Sequence, residues 1–236
     1  MKYKLLFTIL FLFFNISFIS AQVDGSQSLF AEETISRLNN AIRMNGSNDV
    51  VELSKIKGSP YENDSFILGK AANKKINDSK PYYLRYNIYN DIIEIKEDNN
   101  TIGLIRSLNI YAVMNNREYH YEIFSDDNEK TDEGYFILLY KSDKVNLYKR
   151  KIKEFIDEQP AKDSFRQATP ASFKDSEHYY FKKGRVLILL STKKKEFIKN
   201  FPEHKNEITN YIKTEKINLK SEKDLIQLFK YYESLL

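Results

Sequence analysis

Along most of the chain, apolar and polar residues alternate with the period of a β-strand rather than that of a helix. The alternation is strictest around Asn90-Asp91, two residues that tolerate the positive φ of a two-residue hairpin turn. With that turn, Tyr86 lies opposite Ile95, and a slip of one residue would mix the two faces. The pattern therefore predicts a hairpin with an apolar core face and a polar face that tolerates substitution. The core face comprises Leu84, Tyr86, Ile88, Ile93 and Ile95, and the polar face comprises Arg85, Asn87, Tyr89, Glu94 and Lys96.

The same alternation predicts further strands between residues 57 and 190. Two more hairpins are predicted to turn at Ser142-Asp143 and at Lys183-Gly184. Residues 101–106, 110–114 and 117–124 are predicted to be strands between the hairpins. Eight or more short antiparallel strands are typical of a meander, a sandwich or a barrel. The hairpin at Ser142-Asp143 has a predicted inner face of Phe136, Leu138, Tyr140, Val145 and Leu147.

At both ends of this β region the period changes to that of a helix. In residues 28–44, apolar residues recur every third or fourth position, which predicts an amphipathic helix that covers the sheet. After residue 191 the pattern predicts two or three short amphipathic helices, the last of them with a capping box from Ser221 to Asp224. The predicted fold class is therefore α+β. A mainly antiparallel sheet (curled, sandwiched or a partial barrel) carries an N-terminal helix and two to three C-terminal helices.

The first 21 residues have the layout of a secretory signal peptide. Two lysines precede an almost wholly apolar run at residues 5–19, and Ala21 supplies the small residue before cleavage at Gln22. The run is too short and too interrupted to span a bilayer. We therefore expect an exported mature chain, periplasmic or extracellular, without a transmembrane anchor. The predicted organisation is a signal peptide at 1–21, an N-terminal helix and linker at 22–56, an antiparallel β domain at 57–190, and a C-terminal helical segment at 191–236.

Composition excludes several classes of protein. The 236 residues include no cysteine, which excludes thiol catalysis, thiolate metal sites and a lipid anchor on cysteine. The net charge of +4 falls by two when Lys2 and Lys4 leave with the signal peptide. Nucleic-acid binding normally demands a basic patch or stripe, so we expect no nucleic-acid partner.

Chemical motifs are scarce. The chain has no nucleophile elbow, zinc-protease helix, phosphate-binding loop or dinucleotide fingerprint. Three histidines remain as candidates for acid–base chemistry. His178 is expected to be partly buried on a strand, and His204 to be exposed on a helix turn.

His120 has the most suggestive neighbours. Glu118, His120 and Glu122 alternate along one predicted strand, so all three point to one face. Two carboxylates and an imidazole can hold a divalent metal or place a general base beside an orienting acid. Neighbours two apart on a strand are about 6.6–7 Å apart at the backbone, so the side chains would have to converge. The polar face of a two-sided strand explains the trio better. We expect no catalytic residue, no cofactor and no metal site, with these three as the only weak metal candidates.

Several strings resemble a set of exported proteins of unknown function from Bacteroidota-type bacteria. The similarity extends over roughly residues 56–236. It implies a shared fold and an envelope or extracellular address, and it brings no activity. The strings are Gly58-Ser59-Pro60-Tyr61, Arg85-Tyr86-Asn87-Ile88-Tyr89-Asn90, Phe201-Pro202, Tyr211-Ile212-Lys213, Asp224-Leu225-Ile226 and Tyr231-Tyr232.

These observations favour an exported, non-catalytic binding or interaction protein of the bacterial envelope, whose partner is a protein or a small molecule. One alternative is a carrier whose sheet curls around a small apolar ligand, with tyrosines and phenylalanines lining the cavity. A second alternative is a metal-assisted hydrolase that uses Glu118, His120 and Glu122. A hollow apolar cavity favours the carrier, a filled core favours the interaction protein, and converging ligands favour the hydrolase.

Overall fold

The computed structural model describes residues 56–98, 100–125, 131–161, 167–184 and 186–236. Within these residues ten strands form one open sheet, and every pairing is antiparallel. The predicted β-rich, mainly antiparallel fold is confirmed. The strands are Ile67–Asn73 (β1), Asp78–Asn87 (β2), Ile92–Glu97 (β3), Asn100–Gly103 (β4), Ile110–Met114 (β5), Arg117–Ser125 (β6), Thr131–Lys141 (β7), Asn146–Ile156 (β8), Ser172–Lys183 (β9) and Val186–Leu190 (β10).

The strand order produces a long connection across the sheet. The order is β10-β9-β8-β7-β6-β5-β1-β2-β3-β4, so β1 lies between β2 and β5. The chain must therefore return from the edge strand β4 to β5 through residues 104–109, here called the crossover. Tyr86 of β2 contacts both Tyr119 of β6 and Tyr135 of β7, although three and four strand positions separate them. The sheet consequently curls, and its concave face contains Tyr86.

The register predicted for the first hairpin is wrong by two residues. Tyr86 pairs with Ile93, not Ile95. The turn spans residues 88–91 rather than two residues, and Asp91 donates its backbone N–H to the Ile88 carbonyl at 3.3 Å. Asp91 has a φ of 52°. Because side chains alternate along a strand, a shift of two residues keeps each of them on its predicted face.

The predicted inner face of the second hairpin is partly wrong. The β7–β8 register shifts between Leu138 and Tyr140, which places an extra residue in β7. Phe136 and Leu138 therefore project from the sheet face opposite to Tyr140. There Phe136 joins Tyr148 and Tyr180 in a separate apolar cluster. The alternation of apolar and polar residues looks regular across this extra residue, so the sequence did not reveal the shift in register.

Three α-helices and a 3-10 turn follow the last strand in the described chain. They pack on β8, β9 and β10 through a core that includes Leu147, Phe181, Phe201 and Phe229. At the start of the last helix, the Ser221 hydroxyl accepts a hydrogen bond from the backbone of Asp224, as the capping motif predicts. No helix in the described part of the chain is long and apolar enough to cross a membrane. The helical elements are Lys194–Ile198 (α1), Pro202–His204 (3-10), Lys205–Thr214 (α2) and Glu222–Leu235 (α3).

Residues 56–62, here called the strap, connect distant parts of the sheet. Phe173 of β9 donates its backbone N–H to the Lys57 carbonyl at 3.0 Å, and Ile88 donates to the Pro60 carbonyl at 2.9 Å. The strap thus bridges the start of β9 and the end of β2. The predicted signal peptide, its cleavage site and the predicted N-terminal helix lie outside the described residues.

Candidate functional site

The concave face of the sheet is tightly packed at one end. Tyr86, Tyr119, Tyr121 and Tyr135 meet there edge to face, with ring centroids 5.6–6.1 Å apart. This is the preferred geometry of aromatic pairs. All four rings are buried. The aromatic side chains in this part of the interior therefore contact one another, and a smaller pocket of about 170 Å³ lies beside Tyr86 and Tyr119.

At its other end the concave face opens into an apolar groove, here called the groove. It has a volume of about 370 Å³ and lies between the ends of β1 to β4, the start of β5 and the crossover. Strand pairing brings its walls together, since Ile95 pairs with Ile102 and Ala71 with Ala112. The groove is therefore an unfilled continuation of the curled interior. Its apolar lining includes Ala71, Tyr82, Ile95, Ile102, Ile105 and Ile110.

The crossover that closes one side of the groove is held at both ends. The Arg106 guanidinium donates to the carbonyls of Asn90 and Asp91 at 3.3 and 3.0 Å. Near β5, the backbone N–H of Lys74 donates to the Asn109 carbonyl at 2.8 Å. These contacts fix the crossover against the two hairpin turns on either side, so the groove is preformed.

The rim of the groove carries charges of both signs. Asp78 and Lys80 project from β2 on the face of the groove, and Glu97 ends β3 on that face. All three side chains are exposed. Just beside them, Ile105 of the crossover is 58% exposed. A large aliphatic side chain at the mouth of an apolar groove is typical of a binding site.

The three candidate metal ligands lie on the opposite face of the sheet and divide into two separate groups. The Nε2 atom of His120 is 2.8 Å from Oε2 of Glu118. Glu122 instead accepts a hydrogen bond from Nζ of Lys182 at 2.5 Å and from the Tyr148 hydroxyl at 3.3 Å. No three His, Asp or Glu side chains among the described residues are grouped so that they could hold a metal ion. The arrangement resembles an ion-paired polar strand face.

His120 is buried with one ring nitrogen unpartnered. Its side chain is stacked on Tyr111, with ring centroids 5.0 Å apart, and its Nδ1 has no hydrogen-bond partner. Burial, and secondly the positive charge of Lys74, lower the pKa of His120 below its ordinary value, although the Glu118 carboxylate opposes them. Imidazolium would carry a second N–H with nothing to accept it. The neutral ring is therefore the form that the fold accommodates.

We expect acid to destabilise the fold through His120. The unfolded chain binds a proton at its histidines near pH 6.5, whereas the folded chain resists protonation of His120. Below about pH 6.5 the unfolded state therefore binds more protons, and the free energy of unfolding falls as the pH decreases. Urea denaturation at a series of pH values should show this fall, and His120→Gln should reduce it.

His178 supplies the matched control for that series. It is exposed on β9, not partly buried as the sequence predicts, because its face of the strand is open there. His178→Gln should leave the acid-dependent fall in place. An equal effect of the two substitutions would contradict the role assigned to His120. His204 is half-buried rather than exposed, since its ring packs 6.0 Å from that of Tyr232.

A half-buried carboxylate at the tip of the first hairpin was missed by sequence reasoning. Asp91 accepts hydrogen bonds from the Tyr86 hydroxyl at 2.6 Å and from the Tyr135 backbone at 3.2 Å, and lies 3.5 Å from Arg150. Burial raises the pKa of Asp91, although these partners oppose the shift. A Cβ on Gly134 would lie 2.2 Å from Oδ2 of Asp91, so the contact requires glycine there. The sequence marks Asp91 only as a turn residue and does not indicate that its carboxylate accepts hydrogen bonds from Tyr86 and Tyr135.

Comparisons of the chain with protein-family models, with curated proteins and with solved structures found no match. The groove and the polar contacts that hold its walls are therefore the features on which a function can be argued.

Proposed function

We propose that this protein is an exported, non-catalytic binding protein of the bacterial envelope and that the groove holds a small apolar ligand. The observation that carries the proposal is the contrast between the two ends of the concave face. One end is packed with tyrosines that contact one another and has a pocket of only about 170 Å³ beside them, and the other leaves about 370 Å³ open among aliphatic side chains. Ligand pockets typically have volumes of about 300–1,000 Å³ and a mostly apolar lining.

Burial of apolar surface supplies the driving force. Ile76, Ile105 and Leu108 remain exposed around the groove and the crossover. An apolar occupant would remove part of this surface from water, which stabilises a complex by about 25 cal/mol per Å². Since the crossover is held at both ends, little ordering cost opposes binding. The proposal thus differs from a carrier with a central cavity, because the ligand lies at the open end of the curl.

The hydrolase alternative depends on convergence of Glu118, His120 and Glu122. A catalytic zinc needs at least three protein ligands close to 2.0–2.2 Å. Glu122 is engaged by Lys182 and Tyr148 rather than turned toward His120. This pairing favours the binding function over the hydrolase. The envelope address is part of the proposal and is supported by the signal-like residues 1–21.

A neutral apolar dye tests the proposal. N-phenylnaphthylamine, which fluoresces when it leaves water, should bind the mature chain with saturable enhancement. Ile105→Asp should weaken this binding by about tenfold or more, because a desolvated carboxylate in the groove is costly. Circular dichroism should remain unchanged, since Ile105 is largely exposed.

Leu68→Asp is the matched control. Leu68 is 66% exposed, slightly more than Ile105, and lies on β1 on the face away from the groove. The same chemical change there should leave dye binding within about twofold of wild type. Equal losses in the two variants, or no saturable binding by the wild-type chain, would contradict the proposed function.

A further inference from the structure

We infer that the open end of the groove docks on a lipid bilayer, with the crossover and the β1–β2 turn at residues 74–77 in contact with the membrane. Docking of this kind goes beyond ligand binding and does not depend on it. Three observations carry it: aliphatic side chains at the tips of both segments, hydrogen bonds that hold those tips in place, and the type of residue beside them.

Large aliphatic side chains occupy the tips of both segments. Ile76 is 66% exposed in the β1–β2 turn, and Leu108 is 50% exposed in the crossover. Ile105, which is 58% exposed, lines the groove together with Ile76. Turns are normally dominated by Gly, Pro, Asn, Asp and Ser. Exposed aliphatic side chains grouped at such positions are typical of a surface that meets a partner or a membrane.

Hydrogen bonds hold both tips in place. In the β1–β2 turn, Oδ1 of Asn73 accepts from the backbone N–H of Lys75 at 2.9 Å. In the crossover, Ile110 donates its backbone N–H to the Ser107 carbonyl at 3.1 Å, which closes the turn that contains Leu108. The backbone contact between the two segments, described above, joins them. The tips are thus fixed next to each other, and little conformational entropy is lost when a surface covers them.

The residues beside the tips favour a bilayer over a protein partner. Lys74 and Lys75 directly precede Ile76, and the β1–β2 turn and the crossover contain no acidic and no aromatic residue. Arg106, the other cation of the crossover, is bound to carbonyls of the first hairpin turn. Protein interfaces are enriched in aromatic residues and depleted in lysine. An aliphatic side chain beside lysine instead suits a membrane surface, where the ammonium group stays among the lipid headgroups.

Acidic residues at the same end of the sheet set the orientation of the docked protein. Asp78, Glu97 and Asp98 lie at the start of β2, at the end of β3 and in the turn after β3. Anionic headgroups repel these carboxylates and attract Lys74 and Lys75. The protein therefore leans on the β1–β2 turn and the crossover, with the turn after β3 farther from the bilayer. Because the groove opens at this end, a poorly soluble apolar ligand reaches it without crossing water.

An introduced tryptophan tests the docking, since the chain contains none of its own. The emission of Leu108→Trp in the mature chain should shift to the blue when vesicles of equal parts phosphatidylcholine and phosphatidylglycerol are added. Lipids brominated on their acyl chains should quench it. Leu68→Trp is the matched control, because Leu68 is 66% exposed on the sheet face away from the groove. Its emission should not change.

Cosedimentation with vesicles measures the affinity. Leu108→Asp should weaken binding to the mixed vesicles by about tenfold, because a carboxylate replaces an inserted aliphatic group. Leu68→Asp should leave this binding within about twofold of wild type. Lys75→Gln should weaken it by about fivefold, the effect of one lysine at an anionic surface, and should not change binding to phosphatidylcholine alone. All three positions are exposed, so the variants should fold.

The outcomes separate the docking from the ligand function. Equal shifts of the two tryptophans, no binding to the mixed vesicles, or an equal effect of Lys75→Gln on both kinds of vesicle would overturn the docking. A blue shift of Leu108→Trp that grows with protein concentration in the absence of vesicles would identify a second copy of the chain as the partner, and would also overturn it. Binding of N-phenylnaphthylamine is measured without vesicles, so either proposal can fail while the other stands.

Discussion

Phe229→Ala should lower the free energy of unfolding by about 3–5 kcal/mol, the usual cost of deleting a buried phenylalanine ring. Phe229 is fully buried in α3. Its ring centroid lies 5.5 Å from that of Phe181 on β9 and 6.0 Å from that of Phe201. The ring thus joins the C-terminal helices to the sheet, and its loss leaves a cavity at that junction. Urea denaturation followed by circular dichroism measures the change.

Lys230→Ala is the control on the same helix. Lys230 follows Phe229 directly but faces solvent. Its substitution should change stability by no more than about 0.5 kcal/mol. If the two substitutions cost the same, α3 does not pack on the sheet through the face that contains Phe229.

Glu94→Ala should also destabilise the protein strongly, by about 3–5 kcal/mol, because it breaks a buried ion pair. Glu94 is 6% exposed. It accepts hydrogen bonds from Nε and Nη2 of Arg85 at 3.0 and 2.6 Å, and from the Asn87 amide at 3.1 Å. Arg85 is itself covered by Tyr61, whose ring centroid lies 3.6 Å away. Removing the carboxylate takes the acceptor from Nε and Nη2 of Arg85 and from the Asn87 amide, and the guanidinium keeps only its hydrogen bond from Nη1 to the Asp64 carbonyl among those described.

Lys96→Ala provides the comparison for Glu94. Lys96 lies two residues farther along the same face of β3 and is exposed. It should change the free energy of unfolding by no more than about 0.5 kcal/mol. A loss at Glu94 as small as that at Lys96 would show that the Arg85–Glu94 pair is solvated.

The burial of Glu94 could not be predicted from the alternation of apolar and polar residues along the strand. Alternation assigned Glu94 and Ile93 to opposite faces, as the structure has them. It could not say that both faces are covered. The covering side chains of Tyr61 and Phe66 come from a segment outside the hairpin, and both lie over Arg85. Which residues cover a sheet face depends on contacts between distant segments, and local patterning contains no record of them.

The C-terminal helices were more predictable because their signals are local. Leu225, Leu228, Phe229 and Tyr232 recur at helical spacing and are buried. The hydrogen bond between Ser221 and Asp224 joins residues three apart, so the sequence contains both partners of the cap. Several strands in the described chain were predicted for the same reason, although β1 was not among them and residues 104–106, predicted as part of a strand, lie in the crossover.

The candidate site was the least predictable part of the chain. The groove depends on β1 lying between β2 and β5, and on the crossover that this order requires. In the sequence, wall residues such as Ile95 and Ile110 show only the pattern of core positions on their strands. The Glu118, His120 and Glu122 trio was correctly assigned to one face, but Lys182 and Tyr148, which engage Glu122, come from strands far along the chain.

Methyl NMR of the isoleucine side chains tests the central claim most directly. Decanol would be titrated into the mature chain with labelled isoleucine Cδ1 methyl groups. We predict saturable shifts at Ile95, Ile102, Ile105 and Ile110, which line the groove, and none at Ile208 or Ile212 in the helix–sheet core. Shifts centred on Ile208 and Ile212, or no saturable shift at the groove residues, would contradict the account.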